Sequence, residues 1–227
     1  MSIFAGKDPI WTARRGSVSA GLVGHWDSMA MSAADRMGNI LYDISGNNNH
    51  GTLINGASFE NRGIRFDGID DFVSLSALTV SLNSFTVSAW FRTTSSGDEK
   101  IFSLDNINHL IQIAGGQIRI CTGVSGENQC GAGGSSITDN VWRLATTVGD
   151  TTSIRVYVNN TVTPIITNTA RNNVVNSVSP RIGRVGTTGG STYCFNGSIE
   201  QVSLYNRPLS VSEIARNFNA TRARFGV

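Results

Sequence analysis

Carboxylates are the first residues to weigh, because a glycosidic bond is cut by two of them facing one cleft, roughly 5–9.5 Å apart. The apolar run Ser198–Tyr205 holds one, Glu200, with no second acid at the alternate spacing a strand would turn to the same side. Nucleophilic catalysis has as little to draw on. Serines abound, but the histidines are three, His25, His50 and His109, and no G-x-S-x-G segment precedes a helix. His50 falls in SGNNNHG (Ser45–Gly51), where a part in the turn is expected rather than one as a base. Cys and His do not cluster at zinc-ligand spacing. The residues therefore predict a protein that is not an enzyme.

Binding a sugar asks for less: an exposed aromatic face with hydrogen-bonding groups beside it. The stretches 93–99, 124–136 and 186–193 are rich in Ser, Thr and Gly and suit the rim or concave face of a β protein. Tyr193 is the candidate platform, with Asn128 and Gln129 as hydrogen-bonding partners; the alternative is a solvated loop and a packed ring. A second binding feature is MSIFAGKDPIWTARRG (Met1–Gly16), which lacks the apolar core of a signal peptide. It carries Phe4, Ile10 and Trp11 with Arg14 and Arg15, and no strand pattern. Residues 1–19 are expected to form an arm that docks on another subunit, the alternative being a frayed end. Three N-x-S/T sequons, at Asn159, Asn196 and Asn219, are what chance produces in an Asn-rich chain.

The elements that must position these residues follow from composition and periodicity. The chain has 227 residues, of which 26 are Ser, 20 Thr and 21 Asn, while charged residues make up only 15%. Such a neutral polar surface disfavours a helical bundle and suits a β protein with many turns. The net charge of +2 implies no nucleic-acid partner, and no apolar run is long enough for membrane insertion. Phe85, Val87, Ala89 and Phe91 alternate with Thr86, Ser88, Trp90 and Arg92, the period of a strand. Similar runs occur at Leu22–Trp26, Gly63–Asp67, Phe72–Leu75, Lys100–Leu104, His109–Ala114, Gln117–Thr122, Trp142–Val148, Ser153–Val158, Thr163–Thr167, Arg181–Val185 and Ser198–Tyr205. About a dozen short strands spaced by turns predict an all-β antiparallel sandwich. One helix is expected from Val211 to about Asn219, with Ser210 and Glu213 as its capping box. Trp90 and Trp142 are expected in the core. Cys121 and Cys130 flank a Gly-rich turn where two strands could face their sulfurs, as a disulfide or as two reduced, half-buried thiols.

The order of landmarks is more specific than any one of them. GLVGHWD (Gly21–Asp27), YDISGNNNHGTLINGA (Tyr42–Ala57), GIRFDGIDDFVSL (Gly63–Leu75) and NSFTVSAWFRT (Asn83–Thr93) precede IRVYVNN, RIGRVG and FNGSIEQVSLYNRPLSVSEIARNFN (Phe195–Asn219). Over residues 20–220 this resembles the LamG-like jelly-roll domain of the concanavalin A-like lectin/glucanase superfamily. The resemblance implies two antiparallel sheets stacked face to face, with the N-terminal strand near the C-terminal one, and a domain spanning 20–227. It also implies that a structural calcium could sit among the landmark acids, Asp27, Asp70, Asp71 and Glu200 being the expected ligands. The alternative is that Asp43 and Asp70 merely cap turns. The E-x-D-x-x-E strand of related laminarinase-type enzymes is missing, as is the sialidase S-x-D-x-G-x-x-W turn. The tail NFNATRARFGV resembles the ending of lectin-like domains in virion structural proteins. The expected role is thus a non-enzymatic virion structural, decoration or fibre-associated protein, oligomeric with other capsid subunits and able to contact host-surface glycans. A secreted bacterial carbohydrate-binding module located outside the cell is the alternative, and a degenerate glycanase a more distant one.

Overall fold

The strand Phe85–Arg92 shows why a sandwich forms. Phe85, Val87, Ala89 and Phe91 are fully buried on one side, while Thr86, Ser88 and Trp90 are buried on the other, so both faces of the strand are covered. A computed structural model describes residues 16–106, 108–124, 127–169, 174–177, 180–185 and 193–227. In it Phe85–Arg92 lies between Arg143–Gly149 and Asn196–Tyr205, in an eight-stranded antiparallel sheet that runs from Ile166–Thr169 to Ser58–Glu60. Leu22–Asp27 joins this sheet alongside Asn196–Tyr205, the expected meeting of the first strand with the last.

A second eight-stranded sheet runs in the order Glu127–Gly133, Gln117–Val124, His109–Ala114, Glu99–Ser103, Arg181–Ile182, Phe72–Leu75, Gly51–Ile54, Ile40–Leu41. Between the two sheets Ile64, Phe66, Val87, Phe91, Ile199 and Val202 meet Val73, Leu75, Ile101, Ile111, Ile120 and Ile182 in one continuous core. Burial of this apolar area, at about 25 cal/mol per Å², is the main force holding the layers together. Leu78–Ser81 pairs separately with Val174–Ser177. Strands such as Ser58–Glu60 and Ile40–Leu41 escaped the sequence reading because they are short and half exposed, with little alternation to see.

The outer face of the first sheet is closed by the helix Val211–Thr221 and the tail behind it. Ser210 Oγ accepts from the Glu213 amide at 3.3 Å, and Glu213 Oε2 accepts from the Ser210 amide at 2.9 Å, the predicted capping box. Trp90 packs between Phe218 and Phe225, the latter with ring centroids 4.0 Å apart, and Trp142 closes the group, so both tryptophans are core residues. Val18 sits in a second cluster with Tyr205, Leu209 and Ile214, its amide donating to Asn217 Oδ1 at 2.8 Å. Residues 16–19 were expected in the arm; instead Val18 is buried here, and the body begins before residue 20. The arm candidates Phe4, Ile10, Trp11, Arg14 and Arg15 lie outside the described residues.

The Asn-rich turn read in the sequence is built as expected, and of the two states left open for the cysteine pair the disulfide is the one found. In Ser45–Gly51, Gly46 and Asn48 take φ of 96° and 59°, which Gly and Asn tolerate. Asp43 ties the segment together, its carboxylate accepting from the amides of His25, Ser45 and Asn49, and His50 Nδ1 accepts from the Asp43 amide at 3.0 Å. Cys121 and Cys130 face each other in register across two strands and form a disulfide, with Cα atoms 4.2 Å apart.

Candidate functional site

The outer face of the second sheet carries the polar residues. Registered pairing sets Ser74, Arg181, Ser103, His109 and Cys121 in one row across five strands, and Lys100, Gln112 and Arg119 in a second. Neither row is visible in the sequence, where its members are scattered from 74 to 181 and Arg181–Ile182 is a strand of two residues. Lys100, His109 and Gln112 are almost wholly buried. Lys100 forms an ion pair with Asp98, and its Nζ stands 4.5 Å from the ring centroid of Tyr193. Burial lowers the Lys100 pKa and holds His109 neutral down to about 4, with the nearby Lys100 charge adding to the effect. Ser103 Oγ lies 3.2 Å from His109 Nδ1. The Gln112 amide nitrogen donates to Cys121 Sγ at 3.2 Å, leaving Gln112 Oε1 buried without a partner.

Tyr193 is 40% exposed, with one ring face toward Lys100. Asn128 and Gln129 lie on the edge strand Glu127–Gly133, opposite Gly123 and Thr122. That strand is three places from the one bearing Lys100, roughly 14 Å at the usual strand spacing. The two residues share the sheet with the Tyr193 contact but not its neighbourhood, and their side chains lie outside the described residues.

The four expected calcium ligands divide. Asp70 and Asp71 lie in the turn between Gly63–Asp67 and Phe72–Leu75, where they join Asp67; one carboxylate oxygen from each falls within 4.8 Å of the others. Asp71 Oδ2 accepts from the Asp67 amide at 3.0 Å, and Oδ1 is buried with no partner. Burial raises the Asp71 pKa, and the charge of Asp67 adds to it. Gly68, at φ 82°, gives the turn its left-handed residue. Asp27 and Glu200 are elsewhere: Arg224 donates to both Asp27 oxygens at 2.8 and 3.1 Å and bonds Glu200 Oε1. The Arg224 guanidinium supplies a countercharge to both carboxylates.

Glu200 owes its position to a β-bulge. Ile199 pairs with Phe91 and Gln201 with Trp90, so Glu200 has no opposite residue, and the phase of the strand slips by one. Ile199, Val202 and Leu204 point into the core in consequence, while Glu200 turns toward Arg224. On that outer side His25, Gln201, Tyr205 and Thr221 help enclose a cavity of about 10 Å³, room for one water and too small for a sugar. Among the described residues no helix is long and apolar enough to cross a membrane.

Solved structures with this arrangement are many. The binding domain of Paraclostridial Mosquitocidal Protein 1 superposes with a TM-score of 0.65 at 18% identity, covering 89% of this chain and 52% of that one. The binding domain of botulinum neurotoxin serotype D/C gives 0.67 at 14% identity, covering 90% and 53%. Trypanosoma rangeli sialidase, solved in complex with sialic acid, gives 0.66 at 18%, covering 91% and 34%. The chain thus spans about half, or a third, of the length of these neighbours, and at such identities the likeness is one of fold. No curated protein matches in sequence. Residues 67–215 match the family described as the concanavalin A-like lectin/glucanases superfamily. With most of its length inside that match and its two sheets stacked as described, the chain belongs to the concanavalin A-like lectin/glucanase superfamily.

Proposed function

We propose that this domain is a non-catalytic glycan-binding module that reads sugars on the outer face of its second sheet. The observation that carries the reading is Tyr193: an exposed ring held against Lys100 beside two rows of polar side chains, on the sheet face opposite the one closed by the helix. Aromatic faces with flanking polar groups are how proteins hold the apolar side of a sugar ring. Against catalysis stands Glu200, buried and committed to Arg224, as is Asp27. The experiment is a glycan array probed with the full chain and with Tyr193→Ala. Retention of wild type and loss in a folded variant support the reading; absence of binding to any glycan overturns it.

For the setting we propose the surface of a virus particle, with the arm at residues 1–15 and its Trp11 contacting neighbouring subunits. The Cys121–Cys130 disulfide accords with an oxidising exterior, which a secreted module would share. Co-purification with intact particles tests it. We propose, too, that the turn of Asp67, Asp70 and Asp71 holds a structural calcium. Three converging carboxylates, one with a buried oxygen lacking a partner, fit a hard cation that takes oxygen ligands.

A further inference from the structure

The dipeptide Asn-Gly occurs twice in the chain, as Asn55-Gly56 and Asn196-Gly197, and the fold treats the two differently. Asn196 opens the strand Asn196–Tyr205, with Gly197 opposite Phe66 in the ladder. The Asn196 amide donates to Glu99 Oε2 at 3.0 Å, and its Oδ1 accepts from Arg65 at 3.0 Å. The Arg92 carbonyl oxygen would lie 2.3 Å from a Cβ at Gly197, so that backbone has no room to turn. Asn55-Gly56 instead links Gly51–Ile54 of the second sheet to Ser58–Glu60 of the first, and both residues are exposed. Asn55 takes φ 67°, in the left-handed region that Asn tolerates. Gly56 is part of no strand. Its amide faces the Asp71 carboxylate and donates at 3.1 Å to the Ile54 carbonyl two residues back, a closure within the turn itself.

An asparagine followed by glycine can close on itself. The Gly56 nitrogen gives its proton to solvent base and bonds to Asn55 Cγ; the Cγ–Nδ2 bond breaks, and Nδ2 leaves as ammonia with a proton from water. The resulting succinimide then takes up one water. Cleavage of its nitrogen–Cγ bond yields aspartate, and cleavage of its bond to the Asn55 main-chain carbonyl yields isoaspartate. Glycine favours the step because no Cβ crowds the attacking nitrogen and its backbone turns freely. What stands beside the product gives the change its effect. Asn55 Nδ2 donates to the Asp70 carbonyl at 2.9 Å, and Asp70 belongs to the turn where it meets Asp67 and Asp71. Conversion removes that donor and sets a new negative charge against three carboxylates.

We propose that Asn55 is a modification site: it deamidates in the native protein while the fold holds Asn196 back, and the change adds a fourth carboxylate to the Asp67–Asp71 turn. The inference stands apart from the glycan and calcium readings above.

The test is peptide mapping by mass spectrometry of the full chain aged in mildly alkaline buffer, native and in urea. In urea the two Asn-Gly pairs should convert at comparable rates. In the native protein Asn55 should convert at least about tenfold faster than Asn196, as a mixture of aspartate and isoaspartate. Asn55→Gly, which suits the positive φ, should remove the acidic species that ion exchange separates from aged wild type. Native conversion of Asn55 no faster than that of Asn196 would overturn the site. If Asn196 stays unconverted in urea as well, the difference lies outside the fold, and the structural selection falls. Melting in a chelator tests the consequence: Asn55→Asp should melt below fresh wild type at low salt, and the gap should narrow at high salt as repulsion is screened. No gap at low salt, or one that salt leaves unchanged, would remove the added charge from the acidic turn.

Discussion

Arg224 grips Asp27 with two guanidinium nitrogens, at 2.8 and 3.1 Å, across 197 residues of chain. The same side chain bonds Glu200, so one cation stands between two buried carboxylates drawn from the first and last strands of one sheet. Removing it would leave both acids without their countercharge.

Arg224→Ala is therefore expected to cost about 3 kcal/mol or more of unfolding free energy, measured by urea denaturation. Adding Glu200→Gln to that variant should recover part of the loss, because the double mutant buries one charge fewer. A loss below about 1 kcal/mol for Arg224→Ala would mean that water reaches the acids freely.

His109 predicts the pH dependence. Its folded pKa, about 4, lies below the ordinary 6.5 because burial and the Lys100 charge disfavour the imidazolium, while the charges of Asp105 and Asp98 oppose them. The unfolded chain thus takes up a proton before the native one does. Stability from this group is complete above pH 6.5 and falls as pH drops from about 6.5 to about 4, by roughly 2–3 kcal/mol. Denaturation midpoints across that window should flatten in His109→Gln, and an equal slope in both proteins would assign the dependence to other groups.

Calcium binding at the Asp67–Asp71 turn should show in melting curves with and without chelator. An ion held by the native state alone adds about 2.7 kcal/mol at 100-fold excess over its Kd. Tm should drop on chelation in wild type and stay constant in Asp71→Asn, which keeps the shape of the side chain. Identical wild-type curves in calcium and in chelator would remove the ion from the account.

Two truncations separate the arm from the body. Deleting residues 1–15 should leave the melting temperature unchanged while weakening assembly into particles or oligomers, with Trp11→Ala reproducing most of the defect. Deleting residues 1–19 should also lower stability, by about 1–3 kcal/mol, since it removes buried Val18 and its bond to Asn217. Assembly that is equally efficient without residues 1–15 would leave the arm without a function.

What the sequence discloses here is what is local. The alternation from Phe85 to Phe91, the Ser210–Glu213 capping box and the Asn-rich turn each act over a few residues, and each is built as read. The partner of Asp27 and Glu200 is not local. Glu200 meets Arg224 only through a bulge and a chain turn, and Asp27 only through sheet closure, so spacing along the chain says nothing of either. The Arg181 and Lys100 rows share that character. A two-residue strand inserted between Phe72–Leu75 and Glu99–Ser103 brings them to one face, and no period marks it.

The helix Val211–Thr221 decides how the domain can be mounted. It seals the back of the first sheet, and Gly16 leaves the described body there, its carbonyl accepting from Arg216. Tyr193 and Lys100 stand over the opposite sheet, a sandwich's thickness away, about 10 Å. Any tether made through the residues before Gly16 would hold the molecule from behind, leaving the tyrosine pointing outward, as a plate is held by its rim and back while its face stays open.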